Sequence, residues 1–254
     1  MIDTHAHLNF SQFDKDRKDI ISKCLDNNIS IINIGTDYKS SCDVVEIAKE
    51  YNLYASIGLH PLDILEEDFD CEKYKKLVCD KVVAIGEAGL DYWYKPKGKA
   101  KRELYKEKQK QTFIKQVDLV CELNLPLIVH CRVAFDDMYD ILKTKNIKGV
   151  IHSFTGNVDD LERFLSLGYY IGINGIIFKM DLKSVIEKVP MDRILLETDC
   201  PFLSPPSFEE RNNPMSIEII AKEVARIKNV SLEELIEKTD KNSLQLFDRM
   251  IYIF

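Results

Sequence analysis

Apolar residues along the chain gather into eight short runs, at 1–8, 29–36, 53–60, 82–91, 125–132, 149–154, 169–176 and 194–199. Several, such as Ile128-Val129 and Ile194-Leu195-Leu196, are continuous rather than alternating. That is the pattern of strands covered on both faces. Between the runs, apolar positions recur at helical spacing. Segment 17–27 carries Ile20, Ile21, Cys24 and Leu25 on one face, and 40–51 carries Val44, Val45, Ile47 and Ala48. Helices are likewise predicted at 71–79, 103–123, 136–143, 158–167, 182–188 and 215–228, the last after Pro214, a favoured helix-start residue. Two more are expected at 231–237 and 242–249, and Ser231 with Glu234 has capping-box spacing. The Lys-, Gly- and Pro-rich stretch 94–101 reads as a loop after the fourth strand.

Strand followed by helix, eight times over, predicts a parallel α/β fold. Eight units favour closure into a TIM (β/α)8 barrel over an open doubly wound sheet. The 254 residues suit one such domain, taken as 1–254, although length alone also allows two smaller ones. The apolar share of 45% supplies a core, and no run is long and apolar enough to span a bilayer. The first residues show neither a basic segment nor an apolar leader, so a cytoplasmic location is expected. Seven cysteines without a CxxC pair read as free thiols. A net charge of −7 argues against a broad basic surface for duplex nucleic acid. It leaves room for a small phosphate pocket, or for cations held in an acidic site.

The candidate chemistry lies at the ends of the runs. His5 and His7 close the first, His60 the third, Glu87 lies in the fourth, His130 in the fifth, His152 in the sixth, and Asp199 ends the eighth. In a TIM barrel these positions meet at the C-terminal face, where active sites sit. A lone histidine there is more often structural, Glu87 alone could cap a helix, and Asp199 before Cys200-Pro201 could form a turn. The set taken together points to metal binding. His5 and His7, two apart, offer both imidazoles on one strand face. The carboxylate of Glu87 can bridge two cations, His130 and His152 can serve the second, and Asp199 can bind a metal and accept a proton from water. Such donors suit zinc, manganese or iron, or magnesium with more oxygen ligands.

Motifs in sequence order sharpen this picture: Asp3-Thr4-His5-Ala6-His7-Leu8, Gly58-Leu59-His60-Pro61, Gly86-Glu87-Ala88-Gly89-Leu90-Asp91-Tyr92, Pro126 to Arg132, His152-Ser153-Phe154-Thr155-Gly156, Leu195 to Pro201, and Arg211-Asn212-Asn213-Pro214. With them the chain resembles the TatD family of metal-dependent deoxyribonucleases, within the amidohydrolase superfamily, over nearly its whole length. The resemblance implies a two-metal hydrolase with His5, His7, Glu87, His130, His152 and Asp199 as ligands of two divalent ions (Zn, Mg or Mn), and Asp199 and Glu87 as catalytic groups. It points to DNA as partner, single-stranded or at 3′ ends, cleaved as an exonuclease. Val133 and Asn213 stand where acidic residues are common in that family, and Cys200 where small residues are.

Arg132 and Arg211 are candidate phosphate contacts. Tyr92, with Trp93 and Phe202, is a candidate for stacking on unpaired bases, with packing as the alternative. His60 is read as substrate-side, with a turn role as its alternative. Rival readings keep the metals but change the bond, to a D-aminoacyl ester on tRNA or a small ester or amide; another is a non-catalytic metal-binding scaffold. A monomer is expected, since no long exposed apolar helix is evident.

Overall fold

The eight apolar runs fold into eight parallel strands, in a computed structural model that describes residues 1–94, 96–206, 208–209 and 211–250. They are β1 Ile2–Ala6, β2 Ser30–Ile34, β3 Tyr54–Ile57, β4 Val82–Asp91, β5 Leu127–Arg132, β6 Gly149–Ile151, β7 Tyr170–Ile173 and β8 Ile194–Leu196. Each pairs with the next in chain order, and a parallel bridge between Ala6 and Cys200 joins the last to the first. The expected barrel is therefore the fold, and the open sheet is not. Helices α1 Arg17–Asp26, α2 Tyr38–Tyr51, α3 Cys71–Lys75, α4 Lys99–Leu123, α5 Phe135–Leu142, α6 Val158–Ser166, α7 Lys183–Lys188, α8 Ile217–Lys228 and α9 Leu232–Leu246 surround it. None is long and apolar enough to cross a membrane, among the described residues.

Two apolar clusters explain the continuous runs. One lies between the strands and the helices; the other gathers Ile2, Ile32, Ile34, Val83, Ile128, Val150 and Leu195 with Leu246, Phe247 and Met250. Strand side chains alternate between faces, so Leu127 and Val129 join the outer cluster and Ile128 the inner. The inner cluster fills the barrel, and the end of α9 plugs its lower mouth. His130, His152 and Glu197 each stand two residues beyond an inner-cluster residue and so face inward at the upper mouth.

His5 and Glu87 do not follow that parity. The β1–β2 register shifts between Asp3 and Ala6, and the β4–β5 register shifts between Ile85 and Ala88. Such irregularities re-aim side chains, and here they turn His5, His7 and Glu87 toward the same mouth. The seam between the first and last strands is held by buried Asp3, which accepts from the Thr198 backbone N–H at 2.9 Å and from its hydroxyl at 2.6 Å.

Some helix bounds differ from expectation. The two helices expected near the C-terminus are one, α9, because its polar residues are anchored instead of breaking it. Asn242 donates to the carbonyls of Met191 and Ile194, and Asp240 faces the amino terminus at 3.4 Å. Helix α3 is shorter than expected, the chain turning at Cys79 to enter β4. Within the expected loop at 94–101, Lys99 already begins α4, and Lys95 lies outside the described residues.

Glycine is required where β4 meets β5. A Cβ on Gly89 would overlap the His130 carbonyl oxygen, and Gly86 combines φ +137° with a similar overlap on the Ile128 carbonyl. Gly89→Ala is therefore expected to cost about 3 kcal/mol or more. Thermal denaturation checks this, and an unchanged melting temperature would show that the strands tolerate a wider spacing.

Candidate metal centre

Glu87 sits at the middle of the upper mouth, 4% exposed. Its two oxygens face different neighbours. Oε2 lies 3.3 Å from His5 Nε2 and 3.8 Å from His7 Nε2. Oε1 lies 2.6 Å from His130 Nδ1, 3.6 Å from His60 Nε2 and 3.8 Å from His152 Nε2. Asp199 closes the ring, with Oδ1 3.5 Å from His7 Nε2 and 3.9 Å from both His5 Nε2 and His152 Nε2. Backbone bonds across the barrel seam place it: Asp199 N–H donates to the His5 carbonyl and His7 N–H to the Cys200 carbonyl. Asp199 also sits at φ +55°, a left-handed conformation that aspartate tolerates better than most residues.

The donor set suits a divalent cation. His7 Nδ1 lies 3.1 Å from the Ile34 carbonyl, to which it donates, leaving an Nε2 lone pair for the mouth. His152 Nδ1 lies 2.9 Å from Glu197 Oε1, and His130 Nε2 lies 3.2 Å from Asp91 Oδ2. For His7 and His130 an oxygen holds the rear nitrogen as N–H and the front nitrogen points at the carboxylates, the arrangement that fixes metal-binding imidazoles; His152 has the Glu197 oxygen close behind its ring. His5 Nε2 and His7 Nε2 stand only 3.2 Å apart, a spacing typical of two ligands on one ion with bonds of about 2.1 Å. Three groups converge closely enough to share a cation: His5, His7 and Glu87; His5, His152 and Glu197; and His60, Glu87 and His130.

Electrostatics agree with the geometry. Burial alone would raise the Glu87 carboxyl, but the imidazoles of His60, His5, His130 and His152 outweigh it and hold the group well below its usual range. Burial would lower His130 and His152, yet their carboxylate neighbours prevail and raise them to about 9 and about 10. Burial and then His152 depress His5. Without a cation, protons on His130 and His152 thus balance the buried carboxylates.

All six residues expected as ligands converge here, and His60 joins them. Arg132 is exposed at the rim, its guanidinium 5.0 Å from the Trp93 ring. Two other expected substrate contacts are committed elsewhere. The Tyr92 hydroxyl donates to Asp137 at 2.7 Å and its ring lies under Lys106. Arg211 grips both Asp16 oxygens at 2.9 Å, over the face of Phe13. Asp91 and Glu197 have roles that the sequence alone does not assign. The available signal was a carboxylate inside a strand run, close to a candidate ligand and without a neighbouring cation. Asp91 does more than hold His130: its Oδ1 accepts from the backbone of Trp93 at 2.8 Å and of Tyr94 at 3.3 Å.

A family model described as TatD related DNase matches residues 2–248. The uncharacterized metal-dependent hydrolase YabD of Bacillus subtilis (strain 168) is 36% identical over 259 aligned residues, covering 97% of this chain and 98% of that protein. The uncharacterized metal-dependent hydrolase YcfH of Escherichia coli (strain K12) is 32% identical over 260, covering 97% and 95%. The crystal structure of YJJV, a TatD homolog from Escherichia coli K12, superposes with a TM-score of 0.86 at 29% identity, covering 98% of each chain.

Two outcomes follow from the rear hydrogen bonds and the protonated imidazoles. Glu197→Ala is expected to weaken metal affinity by about 10–100-fold with the fold retained, measured by competition with a chromophoric chelator. Metal binding near pH 7 is expected to release about two protons, from His130 and His152. Calorimetry in buffers of different ionisation enthalpy counts them, and no release would contradict the protonated empty site.

Proposed function

The chain belongs to the TatD-related DNase family and is a metal-dependent hydrolase, and from that premise we propose that it cleaves phosphodiester bonds of DNA, trimming single strands from the 3′ end. The observation that carries this reading is Glu87, one buried carboxylate with an oxygen facing each of two imidazole groups. His5, His7, Asp199 and Glu87 Oε2 would hold one ion; Glu87 Oε1, His130 and His152 would hold another. A pair of divalent ions (Zn, Mg or Mn) supplies hydroxide near neutral pH and charge neutralisation for an in-line displacement at phosphorus.

The chain's own groups do the rest. Asp199 is held below its usual range because His152 and His7 outweigh its burial, so it stays ionised and accepts the proton of the attacking water. Arg132 offers a guanidinium to a backbone phosphate at the rim. Trp93, 63% exposed beside it, offers a face to an unpaired base. The net charge of −7 suits a thin single strand better than a broad duplex contact.

The test is a 5′-labelled single-stranded oligonucleotide given to metal-stripped protein with Mg, Mn or Zn restored. Stepwise shortening is expected, slowed by at least about 10²-fold in His5→Ala and in Asp199→Asn. Hydrolysis of simple esters or aminoacyl-tRNA without shortening of DNA would overturn the reading. Trp93 is the single tryptophan of the chain. The same oligonucleotide should therefore quench the protein's fluorescence in the inactive Asp199→Asn variant, and an unchanged spectrum would remove Trp93 from the binding path.

A further inference from the structure

Among the five histidines, His60 is held the opposite way round. The rear nitrogens of His7 and His130 each face an oxygen, which accepts, and that of His152 lies 2.9 Å from a Glu197 oxygen. The Nδ1 of His60 faces the backbone N–H of Leu62 at 3.2 Å. An amide N–H only donates, so Nδ1 must present its lone pair, and the imidazole proton must sit on Nε2. The same bond excludes the doubly protonated ring. Nε2–H points into the mouth, 3.2 Å from His130 Nδ1 and 3.6 Å from Glu87 Oε1.

This orientation is fixed from behind. His60 N–H donates to the Thr36 carbonyl at 2.7 Å, and Asp63 N–H to the His60 carbonyl at 3.0 Å. The intervening Pro61 carbonyl accepts from Tyr105 at 3.1 Å and from Gln109 at 3.2 Å. Gln109 also exchanges two hydrogen bonds with the Asp91 backbone. The segment carrying both His60 and Leu62 is thereby tied to the residue that aims His130.

We propose that His60 is not a cation ligand, although His60, Glu87 and His130 lie close enough to share one, but a preset hydrogen-bond donor to the group being cleaved. Its Nε2–H meets a non-bridging oxygen of the scissile phosphate and strengthens as negative charge builds there. The assignment of that oxygen to a phosphodiester rests on the function proposed above; the state of the ring does not.

Three measurements decide it. Long-range 1H–15N spectra of the zinc-loaded protein, with the His60 signals identified by their loss in His60→Gln, should show an uncoordinated, Nε2-protonated ring. Elemental analysis of His60→Ala and His60→Gln should show the metal content of the parent, whereas His130→Ala should lose metal. With bis(p-nitrophenyl) phosphate, His60→Ala should lose about 10²-fold in kcat with little change in KM. His60→Gln, whose amide N–H can stand where Nε2–H stood, should recover most of that loss. Coordination through Nε2, a proton on Nδ1, metal lost from both variants, parental kcat in His60→Ala, or no recovery by Gln would each overturn the proposal. If the parent cleaves p-nitrophenyl acetate but no phosphodiester, the phosphodiester reading fails, and the same comparisons are read on the acetate ester.

Discussion

A carboxylate taken out of water at the mouth of a barrel must find positive charge or give up its own. Glu87 is such a group, and the site is organised around satisfying it from two sides at once. Imidazoles from β1 and its end face one oxygen, and imidazoles beyond β3, in β5 and beyond β6 face the other. Neither group alone makes a two-ion centre. The shared carboxylate would, as proposed, because its oxygens are separated while its carbon is common. The same crowding works without metal, since raised His130 and His152 supply the compensating charge as protons. Binding of ions there would then be coupled to release of those protons.

Rear contacts sort four of the five histidines into two kinds. Three have an oxygen behind the ring, of Ile34, Asp91 and Glu197, and turn the other nitrogen to the mouth. One is pulled back by the amide of Leu62 and presents a proton. Asp91 extends the arrangement outward, one oxygen on His130 and the other on the backbone of Trp93 and Tyr94. The exposed loop and the buried ring thus share one carboxylate as their reference point.

The barrel was legible in the sequence because strands buried on both faces leave continuous apolar runs, and the chain spaces eight of them regularly. The convergence of His5, His7, Glu87, His130, His152 and Asp199 was legible because histidine and acid at strand ends are costly unless partnered. What escaped notice depends on register and on distant partners. The shifts near His5 and Glu87 reverse side-chain parity, and no local pattern announces them. The intramolecular partners of Arg211 and Tyr92, Asp16 and Asp137, come from elements far away in sequence, which residue type alone does not show. Helix α9 looked like two because the buried roles of Asn242 and Asp240 belong to β8 and the first residue.

The plug of Leu246, Phe247 and Met250 beneath the inner apolar cluster makes the barrel a blind well. A well has one doorway. Whatever reaches Glu87 enters by the upper mouth, and a product formed there would leave the same way before its successor could enter. With one doorway, traffic would be single file, and a departing product would compete for the very threshold its replacement must cross.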